Sequence, residues 1–137
     1  MSSPVLLCID DRPQMLQVRK ASLEPLGYSV LTATNASTAI TILEKLAVAA
    51  VLVEYKHEGI DAEAVAYQIK QRFPHQRIIL LSAYADMPER VLWLLDDYVM
   101  RSEPLERLAE VVERVTRPIP KIALRSEKLQ KRREATA

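Results

Sequence analysis

Five short apolar runs, separated by stretches with helical spacing, are the feature that most restricts the fold of this 137-residue chain. The runs cover residues 5–9, 29–33, 50–53, 77–81 and 97–100. They are rich in Val, Ile and Leu and lack strict alternation of apolar and polar residues, which is typical of strands covered on both faces. A strand and a helix repeated five times predict an α/β fold with a doubly wound, five-stranded parallel sheet.

Apolar residues at helical spacing follow four of the runs and predict helices that each place one face on the sheet. The members of these faces are Leu16, Leu23 and Leu26; Ala36, Ala39, Ile40, Leu43 and Ala47; Val65, Ile69 and Phe73; and Leu105, Leu108, Val112 and Val115. A short fourth helix is predicted over residues 88–95. Pro13, Pro88 and Pro104 are predicted to open helices, because the first turn does not need their missing N–H. Asn35 is predicted to cap the second helix, and Gly27 to close the first in a left-handed conformation.

A basic segment, residues 118–137, follows the predicted domain of residues 1–117. From Lys121 onward it carries six basic and two acidic side chains, whereas the whole chain has a net charge of only +1, so the domain itself is mildly acidic. Cys8 is the only cysteine, which precludes an internal disulfide. No apolar run approaches the roughly 20 residues that a membrane-spanning helix needs. These features predict a cytoplasmic protein without a membrane span.

Charged and hydroxyl side chains stand where four of the predicted strands end. The residues at these positions are Asp10, Asp11, Glu54, Ser82 and Arg101. Because ligands of parallel α/β sheets gather at the carboxyl ends of the strands, we expect these side chains to meet at one edge. Carboxylates packed together repel each other, so such a cluster needs a cation. Two solutions are open, namely Mg²⁺ bound through carboxylates and water, or a basic side chain, Arg101 or Lys56, inserted among the carboxylates.

Over residues 4–116 the chain resembles the receiver domains of two-component response regulators. The segments that carry the resemblance are LLCIDDRPQML, LEPLGYSVLTA, VLVEYKHEGID, IILLSAYAD and DDYVMRSEPLERL. The resemblance implies a single flavodoxin-like domain with strand order 2-1-3-4-5. It also implies a phosphotransfer switch, in which an acidic pair helps to bind Mg²⁺ and an aspartate after the third strand takes a phosphoryl group from a histidine kinase. In such domains a hydroxyl and a lysine contact the phosphate, and an aromatic residue on the fifth strand repositions.

Four residues match this pattern by position. Asp10 and Asp11 correspond to the acidic pair, Ser82 to the hydroxyl residue and Tyr98 to the switch aromatic. With Glu54 in the position of the phospho-accepting aspartate, the carboxylates that could hold Mg²⁺ are Asp10, Asp11 and Glu54.

Two residues depart from the pattern, because Glu54 replaces the acceptor aspartate and Arg101 replaces the lysine. The Met-Pro of the following loop is also replaced, by His57 and Glu58. Glutamate is one methylene longer than aspartate, and misplacing a reacting group by ~1 Å can lower a rate about a hundredfold. An arginine can fork onto a carboxylate, so we expect Arg101 to pair with Glu54 or Asp11 and to close the pocket without phosphate or metal.

The leading hypothesis is a pseudo-receiver, a non-enzymatic signalling module of a two-component or phosphorelay system with Glu54 in place of the phospho-acceptor. The resemblance implies a protein partner, either a sensor kinase or a downstream effector, on the surface of the fourth helix, fifth strand and fifth helix; a homodimer is a further option. Trp93 lies on the predicted fourth helix and is either a core residue or an exposed interface anchor.

Two other functions stay open. The first is an active receiver that is phosphorylated in a Mg²⁺-dependent way on Glu54. The second is a nucleic-acid-binding regulator that uses the basic segment, which has less support because no aromatic residues interleave its charges and no helix-turn-helix unit fits within it.

Overall fold

The computed structural model describes residues 3–55, 61–83 and 87–117, and strands and helices alternate through them. The strands are β1 Val5–Ile9, β2 Ser29–Ala33, β3 Ala50–Tyr55, β4 Ile78–Ser82 and β5 Asp97–Met100. The helices are α1 Pro13–Leu23, α2 Ala36–Lys45, α3 Ala62–Arg72, α4 Glu89–Leu92 and α5 Leu105–Thr116, with a 3-10 turn at Glu24–Leu26 after α1. The basic segment 118–137 and the loop that contains Lys56, His57 and Glu58 lie outside the described residues.

The described strands form a single parallel sheet in the order β2-β1-β3-β4-β5. The doubly wound fold and the strand order predicted for the chain are therefore confirmed. In the register of the sheet, Ile9 lies beside Ala33 and Val53, and Ser82 lies beside Tyr55 and Met100. The carboxyl ends of the strands consequently meet along one edge, where the residues that follow them can interact.

Both faces of the sheet are buried, because side chains alternate along each strand and helices cover both sides. The α1–α5 face carries Cys8 and Leu52, which pack with apolar residues of α1 and α5. The α2–α4 face carries Ile9 and Val53, which pack with residues of α2, α3 and α4. Burying each large aliphatic side chain stabilises the fold by about 1.5–3 kcal/mol. The alternation also determines which helices each residue at a strand end can reach.

Three residues that were predicted to lie on apolar helix faces lie elsewhere, so these assignments were wrong. Leu26 is exposed on the 3-10 turn, because Pro25 has no N–H with which to continue the hydrogen bonds of α1. Ala47 follows the end of α2, and Leu105 is an exposed residue at the start of α5. Val111, which the prediction omitted, is fully buried. The apolar face of α5 is thus wider than the strict spacing indicated.

Several element boundaries differ from the prediction by one or a few residues. β3 continues to Tyr55, and β4 is displaced by one residue and ends at Ser82. The fourth helix is shorter than predicted and covers Glu89–Leu92. Pro88 and Pro104 immediately precede their helices, as N-cap residues. The longer β3 matters most for the site, because it places residue 54 inside a strand rather than in a loop.

The predicted start signal of α2 is confirmed, and the predicted end signal of α1 is confirmed in its conformation but not in its position. The side chain of Asn35 accepts a hydrogen bond from the main-chain N–H of Thr38 at 2.8 Å, which satisfies a donor at the start of α2. Gly27 has a φ of 104°, in the left-handed region as predicted, but it ends the 3-10 turn that follows α1, whereas α1 itself ends at Leu23. Within residues 3–55, 61–83 and 87–117, the helices are too short or too polar to span a bilayer.

Candidate functional site

Two carboxylates are buried at the carboxyl edge of the sheet. Asp10 directly follows β1, and Glu54 is the fifth residue of β3; each is only 3% exposed. Alternation along β3 places Glu54 on the same face as Ala50 and Leu52, which belong to the α1–α5 face. The side chain of Glu54 therefore lies under α1 and beside the end of β5. A carboxylate this deeply buried is stable in the charged form only if cations or donors contact it.

Three arginines supply the positive charge around Glu54 among the described residues. Arg101, just after β5, donates from Nε to Glu54 Oε1 in a direct ion pair. Arg12 places Nη2 at 4.0 Å from the same oxygen, and Arg19 places Nη2 at 3.8 Å from Oε2. We call Arg12, Arg19 and Arg101 the arginine cluster. Both oxygens of Glu54 thus face guanidinium groups, and the pair between Arg101 and Glu54 is present in the structure.

Arg12 also holds Asp10. The main-chain N–H of Arg12 donates to Asp10 Oδ1 at 2.9 Å, and its Nε and Nη2 lie 3.4 Å from Oδ1 and 3.3 Å from Oδ2. The hydrogen bonds that the side chain of Arg12 donates to Asp10 raise the pKa of Arg12, and the charges of Asp10, Glu54 and Asp11 act in the same direction. Arg12 therefore interacts with carboxylates from two strands, Asp10 after β1 and Glu54 on β3.

Arg19 is a site residue that the sequence analysis missed, although the sequence carried a signal for it. It lies three residues after Leu16 and four before Leu23, so it shares the face of α1 that packs on the sheet. Both leucines are buried, and the side chain of Arg19 is only 18% exposed. A charge in the middle of an apolar helix face indicates a buried partner, which here is Glu54. Arg12 was missed as well, although it directly follows the acidic pair.

Ser82 and Tyr98 lie on the other side of the sheet from Glu54. Alternation along β4 directs Ser82 to the α2–α4 face, and Tyr98 packs against the apolar residues of that face. Ser82 is fully buried, and its main-chain carbonyl accepts a hydrogen bond from the N–H of Arg101 at 2.7 Å. Asp10, Glu54, Ser82 and Arg101 thus lie at one edge of the sheet but divide between its faces. Tyr98 lies two residues further from this edge, beside Leu80. The main chain of Ser82 and Arg101 connects the two groups.

Mg²⁺ and the described carboxylates do not fit together well. Mg²⁺ requires nearly octahedral oxygen ligands and binds through one or two free carboxylates. Both oxygens of Asp10 accept hydrogen bonds from Arg12, and both oxygens of Glu54 face the arginine cluster. In the part of the chain that the structure describes, no three acidic, histidine or cysteine side chains are placed to hold a metal ion. Of the two solutions considered from the sequence, the geometry favours the basic side chains.

Comparison with protein families matches the model of the response regulator receiver domain to residues 6–113 of the chain. The chain belongs to this family. Receiver domains are signalling modules, and the match agrees with the five-stranded parallel fold described above.

Curated relatives are longer than this receiver. The transcriptional regulatory protein GlrR of Escherichia coli K12 is 28% identical over 86 residues, which are 63% of this chain and 19% of that protein. The probable transcriptional regulator ycf27 of Porphyra purpurea is 26% identical over 120 residues, which are 85% of this chain and 49% of that protein. The chain therefore spans about half or less of the length of these relatives.

Solved structures show the same receiver fold. The response regulator protein TrrA of Thermotoga maritima, in complex with Mg²⁺ and BeF, is 28% identical and has a TM-score of 0.74 over 82% of this chain and 98% of that chain. TrrA in complex with the histidine kinase ThkA has a TM-score of 0.73 at 28% identity, over 82% of this chain and 97% of that chain. A receiver domain from Methylobacillus flagellatus reaches a TM-score of 0.74 at only 17% identity, over 83% and 99% of the two chains, which shows the fold alone.

Trp93 is not a core residue, since it is 81% exposed. It follows the last residue of α4, and the side chain of Val91 on the same segment is fully buried instead. The exposed Leu92 is next to it, and Leu105 at the start of α5 is exposed too. A large exposed aromatic side chain is a typical anchor for a protein partner.

Proposed function

We propose that this receiver is a pseudo-receiver of a two-component or phosphorelay system. It acts by binding a protein, and Glu54 supplies a permanent negative charge where other receivers carry a transferable phosphoryl group. The observation that carries the proposal is the buried carboxylate of Glu54, held by Arg101 and faced by Arg12 and Arg19. A carboxylate paired in this way is neither exposed nor free to attack a phosphodonor.

The geometry of the acceptor position supports this proposal. Phosphoryl transfer requires an in-line attack with cations on the transferring oxygens, so the position of the attacking carboxylate is decisive. Glu54 is longer than aspartate, and its Oε1 is held by Nε of Arg101. Attack on a phosphodonor would require this ion pair to break and the carboxylate to leave a site in which Glu54 is only 3% exposed.

Phosphorylation of the purified chain by acetyl phosphate with Mg²⁺ tests the proposal directly. Intact-mass spectrometry would detect one added phosphoryl group, and acid lability would distinguish an acyl phosphate from other products. We expect no acid-labile phosphate on the wild-type chain. The matched variant combines Glu54→Asp and Arg101→Lys, which restore both residues of the family pattern, with Arg12→Gln and Arg19→Gln, which remove the other two guanidinium groups from the carboxylates; it should take up more phosphate than wild type. Acid-labile phosphate mapped to Glu54 in the wild type would support the active-receiver alternative instead.

The partner surface in this proposal is formed by α4, β5 and α5. Its support is three exposed apolar residues, namely Leu92 at the end of α4, Trp93 directly after it and Leu105 at the start of α5. The partner is proposed to be a sensor kinase or a downstream effector, and TrrA in complex with a histidine kinase provides a related example. Alternatively, the partner is a second copy of this chain, bound through the same surface as a homodimer.

NMR can measure whether a change at Glu54 is transmitted to this surface. Glu54→Gln removes the permanent charge that holds Arg101. The main-chain N–H of Arg101 donates a hydrogen bond to Ser82 on β4, so we expect the substitution to shift the resonances of Tyr98 and Trp93. Arg72→Gln, in an exposed ion pair with Glu44, is the control and should leave those resonances in place. If Glu54→Gln changes only residues next to position 54, the pocket is not coupled to the proposed surface. Sedimentation of the wild type and of Trp93→Ala measures the homodimer.

A further inference from the structure

The carboxylates and arginines of the pocket balance in number. Asp10, Asp11 and Glu54 are the acids at the carboxyl edge, and the arginine cluster of Arg12, Arg19 and Arg101 opposes them. In this set of described residues three negative charges meet three positive ones. A divalent ion added to the set would face three guanidinium groups within a short distance. Its repulsion by them would offset its attraction to the acids.

Arg19 is the member of the arginine cluster that can least easily move away. It projects from the inward face of α1 between two buried leucines, and its Nε is buried without a hydrogen-bond partner among the described residues. Its described ion-pair partner is Glu54. The side chain of Arg19 is 18% exposed, against 40% for Arg12 and 27% for Arg101, so it has the least access to solvent of the three.

Arg12 forms an ion pair with the second buried carboxylate, that of Asp10. Its guanidinium lies against both oxygens of Asp10, while its main-chain N–H fixes Oδ1 at 2.9 Å. The side chain of Arg12 is 40% exposed, so it can move, but its departure would leave Asp10 and Glu54 to repel each other. Arg12 and Arg19 therefore bring positive charge to the buried carboxylates from two different elements, the end of β1 and α1.

We propose that the arginine cluster substitutes for the divalent metal ion of this pocket, so that the chain excludes Mg²⁺ and Mn²⁺, and that Arg19 thereby ties α1 to the acceptor position. This inference concerns the same pocket as the proposed function and deepens it by naming the residues that replace the ion. The physical basis is charge rather than shape. A pair of lysines at the same positions should exclude a metal ion as well, whereas neutral side chains of similar length should admit one.

Mn²⁺, used as a paramagnetic probe, tests the proposal on the full chain. We expect wild-type amide resonances of residues 10–12 to show no selective broadening at sub-stoichiometric Mn²⁺. The double variant Arg12→Gln with Arg19→Gln should show selective broadening that Mg²⁺ reverses, and its Mn²⁺ affinity should exceed that of the wild type by about tenfold or more, because two nearby like charges are removed. The variant Arg12→Lys with Arg19→Lys should behave as the wild type does, and so should Arg72→Gln, which is remote from the pocket.

Each outcome decides the matter. Selective broadening of the wild type that Mg²⁺ reverses overturns the proposal, and so does a folded double glutamine variant that binds no Mn²⁺, since the arginines would then not be what excludes the ion. If the double variant does not fold, Arg19→Gln alone is measured against Arg19→Lys by the same two criteria. Mn²⁺ binding by a wild type that takes up no phosphate overturns only this inference, while phosphate on Glu54 without Mn²⁺ binding overturns only the proposed function.

Discussion

Glu54→Gln is the substitution with the most specific expected effect on stability. The amide has the shape of the carboxylate but no charge, so it leaves Arg101, Arg19 and Arg12 facing each other without the acid that holds them. Packing around residue 54 is preserved, because the side chain keeps its volume. Any loss of stability therefore reports on charge.

The size of the effect follows from burial. Removing one partner of a buried ion pair typically destabilises a protein by about 3–5 kcal/mol. The side chains of Arg101 and Arg19 are 27% and 18% exposed, so water can solvate part of their charge in the variant, which makes the destabilisation smaller. We therefore expect the free energy of unfolding to fall by about 2–3 kcal/mol. For a domain of this size each kcal/mol corresponds to about 4 °C in Tm, which gives a decrease of about 8–12 °C.

Urea unfolding followed by circular dichroism measures the change, with Arg101→Met and the double variant completing a thermodynamic cycle. The coupling energy between Glu54 and Arg101 should be about 1–3 kcal/mol. Arg72→Met is the matched control, because Arg72 and Glu44 pair on the surface and are 56% and 42% exposed. Such exposed pairs contribute about 0–1 kcal/mol. If Glu54→Gln is no more destabilising than Arg72→Met, the arginine cluster does not hold Glu54 as described.

Three smaller predictions concern the fold and its surface. Asn35→Ala should lower the free energy of unfolding by about 1 kcal/mol through loss of the cap on Thr38, and no change in urea unfolding would contradict the cap. Burial raises the pKa of the Cys8 thiol to about 12 from an ordinary 9.0, so its contribution to stability is complete below pH 9.0 and is lost as the pH rises from there towards 12. Iodoacetamide at neutral pH should accordingly modify Cys8 in urea but not in the native chain, and rapid native labelling would show that the thiol is accessible. Trp93 should emit at the long wavelength of a hydrated indole and be quenched readily by iodide, and Trp93→Ser should change stability by less than about 0.5 kcal/mol; a short-wavelength emission would show burial.

The fold was largely predictable because its signals are local. Short apolar runs covered on both faces, a cap at Asn35 and a left-handed Gly27 each depend on a few neighbouring residues, and the structure has all of them. The errors were also local in kind. Leu26 was assigned to a helix face because its spacing fits, but Pro25 changes the helix type before the chain reaches it.

The acids of the candidate site were predictable, but only one of its three arginines was. Asp10 directly follows β1 and Glu54 is the last residue but one of β3, so topology alone brings them to one edge of the sheet. Arg101 was expected for the same reason. Arg12 and Arg19 were missed. The spacing of Arg19 on α1 signals a buried partner, but it does not show which strand end the side chain will reach.

By itself, the sequence determined which five apolar runs form strands, where these strands end to within one or two residues, and that a glutamate stands near the end of the third strand. Tertiary structure alone decided that this glutamate points to the α1–α5 face and that Arg19 of α1 lies above it. The physical reason is that strand and helix formation depend on contacts a few residues apart, whereas the partner of a buried charge depends on packing between elements distant in the chain. A buried carboxylate requires a cation, but only the packing of the helices selects which one.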